Sequence, residues 1–140
     1  MWVRTYTKIY QNASAKDIWD RWADIDNWHE WNPGVEYCKL QGRFEKGSFF
    51  ALKPKGAPLA QIELIEVEKG KKFTDCTTFP GAKMYGTHEI EETPDGLKLI
   101  TTMKVEGWLK WVWVFLVARK IVAKTAVQTD NLVQLTRKKK

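Results

Sequence analysis

The chain has 140 residues and a formal net charge of +6, and 44% of its residues are hydrophobic. This length suits one domain with its own core, and this apolar fraction excludes a chain that is disordered throughout. Two cysteines are too few for a disulfide framework, and no apolar run approaches the ~20 residues that span a bilayer. We therefore expect a single domain, residues 1–140, in the cytoplasm and with both cysteines reduced.

The first part of the chain predicts one strand followed by two short helices. Residues 2–10 alternate with a two-residue period and include several β-branched side chains, which favours a strand over the apolar stretch of a signal peptide. Ser14 is a suitable N-cap for a helix that ends near Ala23. A second short helix is expected through Trp31, before a turn at residues 32–34.

The middle of the chain predicts six strands in a meander. Each run of strand-forming residues is bounded by Gly or Pro, and this spacing is typical of an antiparallel sheet. The predicted strands are 35–40, 48–52, 59–67, 72–79, 83–92 and 97–106. Together with the first strand they form a sheet of about seven strands, which is expected to twist and curl.

Residues 108–140 contain no Gly or Pro and predict one long helix. One face of this helix is apolar or small at helical spacing. That face consists of Val114, Val117, Ala118, Ile121, Thr125, Gln128, Leu132 and Leu135. A helix of this size is about 45 Å long, so it can cover the concave face of the sheet. A gap left between them would be a ligand pocket with apolar walls.

The segment 12–34 resembles the opening of the polyketide cyclase/dehydrase family, which belongs to the superfamily of START-related lipid-transfer domains and the major birch pollen allergen. The matching residues are Ala13, Ile18, Trp19, Asp24, Trp28, Trp31 and Pro33. Further matches are Gly47, residues 65–67 and residues 87–96, so that the likeness covers residues 1–107. The resemblance implies the α+β helix-grip fold. In that fold a curved seven-stranded antiparallel sheet wraps around a long C-terminal helix, and two short helices lie between strands 1 and 2.

The expected strand register places three polar side chains in a row on an otherwise apolar wall. With a turn at residues 80–83, Asp75 lies opposite His88, and with a turn at residues 94–95, His88 lies opposite Thr101. A carboxylate beside an imidazole would hold its tautomer and raise its pKa, so His88 and Asp75 are candidates for acid–base catalysis. The alternatives are a row that orients a ligand, or a hydrogen-bonded pair with no ligand.

The candidate ligand-binding residues lie on the concave face of the sheet, in the second short helix and on the inner face of the long helix. They are Trp28, Trp31, Phe73, Asp75, Thr77, Met84, His88, Ile90, Leu99, Thr101, Met103, Val114, Val117 and Ile121. Trp28 and Trp31 either wall the mouth of the pocket, as the resemblance implies, or pack in the core.

The start of the long helix carries more aromatic surface than one helix face can bury. The residues are Trp108, Trp111, Trp113 and Phe115. They either contact a membrane or a second copy of the chain, with the flanking cations favouring an anionic surface, or they are covered by a loop such as residues 53–58.

Three functions are compatible with these features. The first is a carrier for an apolar small molecule, such as a lipid, a polyketide or an aromatic metabolite. The second is a polyketide cyclase or dehydratase that uses His88 with Asp75. The third is an interaction or membrane-docking protein. The sequence contains no metal-ligand spacing, phosphate loop, nucleotide fingerprint or nucleic-acid-binding motif, so we expect no metal, no cofactor and no nucleic-acid partner. The basic residues 137–140 fit a solvated helix end.

Overall fold

The computed structural model describes residues 1–138, so the end of the helix predicted to reach residue 140 lies outside the described residues. The predicted order of strands and helices is confirmed. The elements are β1 (Trp2–Tyr10), α1 (Ala15–Ala23), a 3₁₀ helix (Ile25–Glu30), β2 (Val35–Gln41), β3 (Phe49–Pro54), β4 (Ala60–Glu68), β5 (Lys72–Phe79), β6 (Ala82–Thr93), β7 (Gly96–Glu106), α2 (Lys110–Trp113), a π-helical turn (Val114–Ala118) and α3 (Arg119–Lys138).

The seven strands form one sheet in the order β1-β7-β6-β5-β4-β3-β2, and each strand is antiparallel to its neighbours. α1 and the 3₁₀ helix carry the chain from β1 at one edge of the sheet to β2 at the other. α3 packs against α1 and β1. This arrangement is the predicted helix-grip fold.

α1 begins as the sequence indicates. The Asp17 amide donates a hydrogen bond to the Ser14 hydroxyl at 3.3 Å, which confirms Ser14 as the N-cap. Trp22 lies on the buried face of α1, and the indole of Trp28 donates a hydrogen bond to the Trp22 carbonyl at 3.0 Å. This bond ties the 3₁₀ helix to α1 and satisfies a buried donor.

Two apolar clusters fill the space between the sheet and the helices. The larger one contains the four tryptophans of residues 19–31, together with Phe50 and Phe73, and it packs against Leu132 and Val133 of α3. The smaller one joins the start of the long helix, at Val114 and Ala118, to the opposite end of the sheet. The stretch of α3 between these clusters buries threonines instead of large apolar side chains.

The predicted β6–β7 register is confirmed, whereas the predicted β5–β6 register is wrong by two residues. Phe79 pairs with Ala82 instead of Met84, so Phe73 lies opposite His88 and Asp75 lies opposite Gly86. The hairpin is tighter than expected because Gly81 adopts φ +72°, and a Cβ there would lie 2.7 Å from the Leu109 side chain. A shift of two residues leaves every side chain on its expected face but changes its neighbours.

The long helix is interrupted near its start by the π-helical turn, which the sequence pattern does not predict. Trp113, just before this turn, stacks on Phe79 at 4.4 Å between ring centroids. Val114, just after it, is buried in the smaller cluster. Within residues 1–138, no helix combines the length and the apolar character required to cross a bilayer.

Replacement of Phe73 by Ala should destabilise the protein by about 3–5 kcal/mol, because it removes a fully buried ring from the larger cluster. Phe49→Ala is a matched control, since Phe49 also lies in a strand but is 45% exposed. We expect the control to cost less than about 1 kcal/mol, and urea unfolding measures both values. Equal losses for the two variants would contradict the position assigned to Phe73.

Candidate functional site

A narrow gap lies between the sheet and α3, beside the larger apolar cluster. Its volume is about 20 Å³, which is room for one water molecule. We call it the polar gap. It is lined by Trp22, Trp31, His88, Leu99, Thr101, Thr125, Gln128, Thr129 and Leu132.

The helix side of the polar gap is formed by hydroxyl and amide side chains. Thr125 donates its hydroxyl proton to the Ile121 carbonyl at 3.1 Å, and Thr129 donates to the Thr125 carbonyl at 2.8 Å. Their protons are therefore used within the helix, while their oxygen lone pairs can accept a further hydrogen bond. Gln128 adds an amide that can both donate and accept.

The sheet side of the polar gap is centred on His88. Its imidazole stacks on Phe73 with 4.8 Å between ring centroids and lies 5.6 Å from the Trp22 ring. Burial among these rings lowers the pKa of His88 to about 4, so the imidazole is neutral at neutral pH. Thr101 is its partner across the β6–β7 pair.

The ring nitrogens of His88 are accessible from the polar gap. The side chain of His88 forms no hydrogen bond within residues 1–138. Every fully buried side-chain nitrogen or oxygen in this range has a partner, so the ring nitrogens of His88 are not fully buried. One nitrogen of a neutral imidazole donates and the other accepts. The gap therefore presents an unused donor and an unused acceptor between aromatic walls.

Asp75 lies on the same face of the sheet but outside the lining of the polar gap. Its carboxylate lies over Gly86, where a Cβ would meet one carboxylate oxygen at 3.0 Å. Burial raises the pKa of Asp75 to about 7, and a hydrogen bond from the Gly86 backbone opposes part of this rise. Because Phe73 occupies the position opposite His88, the expected pairing of His88 with Asp75 is wrong, and the pKa of His88 is lowered instead of raised.

The candidate ligand-binding residues fall into two groups. Four of them line the polar gap, namely Trp31, His88, Leu99 and Thr101. The others lie outside this lining, and they are Trp28, Phe73, Asp75, Thr77, Met84, Ile90, Met103, Val114, Val117 and Ile121.

Five residues of the polar gap were absent from the candidate set derived from the sequence. They are Trp22, Thr125, Gln128, Thr129 and Leu132. Three polar residues at positions 125, 128 and 129 fall on one side of a helix whose inner face is otherwise apolar. This break in the apolar face is a signal that could have identified them.

A sheet that grips a helix around a gap of this kind defines the class of helix-grip proteins. The chain belongs to the family described as polyketide cyclase / dehydrase and lipid transport, whose sequence model matches residues 3–138. This confirms the resemblance identified from residues 12–34. A comparison with curated proteins finds no significant match.

Solved structures share the fold at low sequence identity. A hypothetical protein from Helicobacter pylori matches with a TM-score of 0.78 and 13% identity, over 96% of this chain and 88% of that one. A START superfamily protein from Mycobacterium smegmatis matches with a TM-score of 0.72 and 17% identity, over 95% and 97%. Norcoclaurine synthase from Thalictrum flavum, solved with dopamine and hydroxybenzaldehyde, matches with a TM-score of 0.72 and 15% identity, over 99% and 89%.

The two perturbed groups should give stability opposite dependences on pH. The pKa of Asp75 is raised from 3.8 to about 7, so the native state keeps a proton that the unfolded state loses, and stability falls as pH rises through this window. The pKa of His88 is lowered from 6.5 to about 4, so stability rises with pH from about 4 to 6.5. In the wild type the two effects largely cancel below pH 6.5.

Asp75→Asn should therefore be more stable than the wild type at pH 8 by about 1–2 kcal/mol. This gain is smaller than the full shift of the Asp75 pKa implies, because Asp75 is partly exposed to solvent. The free energy of unfolding of this variant should rise between pH 4 and pH 6.5, because only the His88 effect is left. Urea unfolding across pH 4–8 measures both. Asp95→Asn, at an exposed turn position, is the control, and a difference between Asp75→Asn and wild type that stays constant across this range would contradict the assignment.

Proposed function

We propose that this protein binds and carries an apolar or aromatic small molecule with one polar group, between the sheet and α3. The polar gap is the observation that carries the proposal. A neutral imidazole with no hydrogen-bond partner among residues 1–138 lies there beside Thr101 and Gln128, and tryptophan rings flank it. Such a surface suits a ligand whose polar end makes one or two hydrogen bonds while its apolar part contacts the rings.

The size of the polar gap implies that binding requires movement. Pockets for small molecules usually enclose roughly 300–1,000 Å³, whereas the polar gap encloses about 20 Å³. The ligand must therefore displace the rings of Trp22 and Trp31 or separate α3 from the sheet. Each 100 Å² of apolar ligand surface that becomes buried contributes about 2.5 kcal/mol toward this opening.

The family description and the fold similarities support a ligand-binding role of this kind. Norcoclaurine synthase holds two aromatic molecules in a chain of the same fold. The cytoplasm remains the expected compartment, and the two buried cysteines are free. A lipid, a polyketide and an aromatic metabolite all satisfy the chemistry of the gap.

A cyclase or dehydratase activity is the second candidate. The feature that favours it is the carboxyl group of Asp75 on the inner face of the sheet beside Gly86, where burial raises its pKa to about 7, so that it can gain and lose a proton near neutral pH. In this reading Asp75 and His88 act separately, because they are not paired. Turnover that follows the titration of Asp75 and disappears in Asp75→Asn would support the enzyme over the carrier.

The carrier proposal predicts different effects for two adjacent threonines. Thr101→Val removes a hydroxyl from the polar gap, whereas Thr102→Val removes one from the opposite face of β7, where Thr102 lies 3.5 Å from the Thr5 hydroxyl. We expect Thr101→Val to weaken the binding of 1-aminoanthracene, an aromatic probe with one amine, by about three- to tenfold. Thr102→Val should leave the dissociation constant unchanged.

Fluorescence titration of the probe measures both constants, and native mass spectrometry of protein purified from its own host gives the mass of any retained ligand. The binding site is misassigned if the two valine variants bind the probe equally. A retained polar, phosphorylated molecule would contradict the apolar ligand class.

A further inference from the structure

The outer face of the long helix, at its start, is an exposed apolar surface. Five large side chains form it, and we call it the tryptophan patch. They are Trp108, Trp111, Val112, Phe115 and Leu116, with exposed fractions of 84%, 63%, 44%, 59% and 48%. Trp111, Val112, Phe115 and Leu116 follow one another at spacings of three and four residues along α2 and the π-helical turn, and Trp108 lies in the turn just before α2. The alternative that a loop covers this aromatic surface is therefore wrong.

This segment is held firmly against the sheet by its other face. Trp113 stacks on Phe79, and its indole donates a hydrogen bond to the Pro80 carbonyl at 2.8 Å. Val114 and Ala118 are buried in the smaller cluster. The packing of this inner face is sufficient to hold the start of the helix on the sheet. The tryptophan patch therefore remains available to contact a partner.

The helix segment that carries most of the tryptophan patch is positively charged. Residues 107–129 contain four cations and no acidic residue. The cations are Lys110, Arg119, Lys120 and Lys124. None of them forms an ion pair within residues 1–138. Lys110 lies 5.7 Å from the Trp111 ring and Arg119 lies 4.2 Å from the Phe115 ring, so cationic and aromatic groups share one surface.

A shallow groove extends this surface onto the end of the sheet. It has a volume of about 570 Å³ and runs from Trp108 to the β5–β6 turn, where the exposed Lys83 lies on its rim. The groove is open to solvent, and its charged lining consists of Lys83 and Glu106, of which Glu106 accepts a hydrogen bond from Tyr85 and pairs with Lys104. The groove therefore extends the exposed apolar surface and adds no net negative charge.

We propose that the tryptophan patch docks this protein on an anionic membrane surface, with the helix start lying in the plane of the lipid headgroups. Tryptophan and phenylalanine side chains favour the boundary between headgroups and acyl chains, and lysines beside them are attracted to anionic lipids. The chain touches the membrane from one side and does not span it. The proposal is independent of the ligand-binding role.

The charges favour a membrane over a second copy of this chain. A two-fold symmetric contact through the tryptophan patch would bring its four cations toward the same four cations of the partner. Like charges brought together across an interface oppose association. An anionic bilayer instead complements every one of them.

The first test is sedimentation with vesicles of phosphatidylcholine alone or with roughly a third of phosphatidylserine. The wild type should partition to the anionic vesicles, and high salt should weaken this binding. The double variant Trp111→Ser, Phe115→Ser should bind on the order of tenfold more weakly. Phe49→Ser and Leu59→Ser are the controls, because these residues are 45% and 49% exposed but lie outside the patch, and they should bind as the wild type does.

The contribution of charge is tested by Lys120→Gln against Lys69→Gln, both at exposed positions. We expect about two- to fivefold weaker binding to the anionic vesicles for Lys120→Gln and no change for Lys69→Gln. Circular dichroism checks that each variant is folded. Equal binding to both kinds of vesicle by wild type and patch variants would overturn the proposal.

A second measurement locates the contact without depending on affinity. Lipids brominated in the upper acyl chain should quench the fluorescence of the wild type on anionic vesicles. The double variant Trp108→Phe, Trp111→Phe keeps the aromatic surface, so it should still bind but lose most of this quenching. Unchanged quenching would place the contact elsewhere. A dimer in solution that the patch variants abolish, with no vesicle binding, would assign the surface to self-association and overturn the proposal.

Discussion

The packing of aromatic rings around Phe73 is the interaction on which the rest of the structure depends. This fully buried ring contacts Trp22 of α1 at 5.4 Å, Trp28 of the 3₁₀ helix at 6.1 Å, Phe44 at 5.2 Å and His88 of β6 at 4.8 Å, measured between ring centroids. It therefore joins the short helices to the centre of the sheet. The same contact orients the imidazole of His88, a task that a carboxylate performs in many histidine sites.

The aromatic packing that stabilises the fold also restricts the space that a ligand could occupy. Rings that interdigitate closely leave little empty volume, and the polar gap holds only about 20 Å³. The gap occurs where threonines of α3 replace large apolar residues, so its helix side is polar. Opening for a ligand is expected on this helix side, because threonine and glutamine side chains bury less apolar surface than the tryptophan rings of the other walls.

The long helix serves two surfaces that are separate in space. Its inner face closes the polar gap near Thr129, while its outer face carries the tryptophan patch near Trp111. Eighteen residues separate these positions, so they lie about 27 Å apart along the helix. Substitutions at one surface should therefore leave the other unchanged, so the proposed ligand binding and the proposed membrane contact can be tested independently.

The sequence by itself determined the order of the strands and helices, the inward face of β5, β6 and β7 and the inner face of the long helix. These features follow from periodicity and turn residues, which act over a few neighbouring positions. The tight turn before Gly96 even fixed which residues of β6 and β7 pair. Only the tertiary structure decided that Phe73 lies opposite His88, that the polar gap is nearly closed and that the tryptophan patch is exposed. Each of these depends on side chains far apart in sequence, such as Leu109 against Gly81, and no local pattern encodes such contacts.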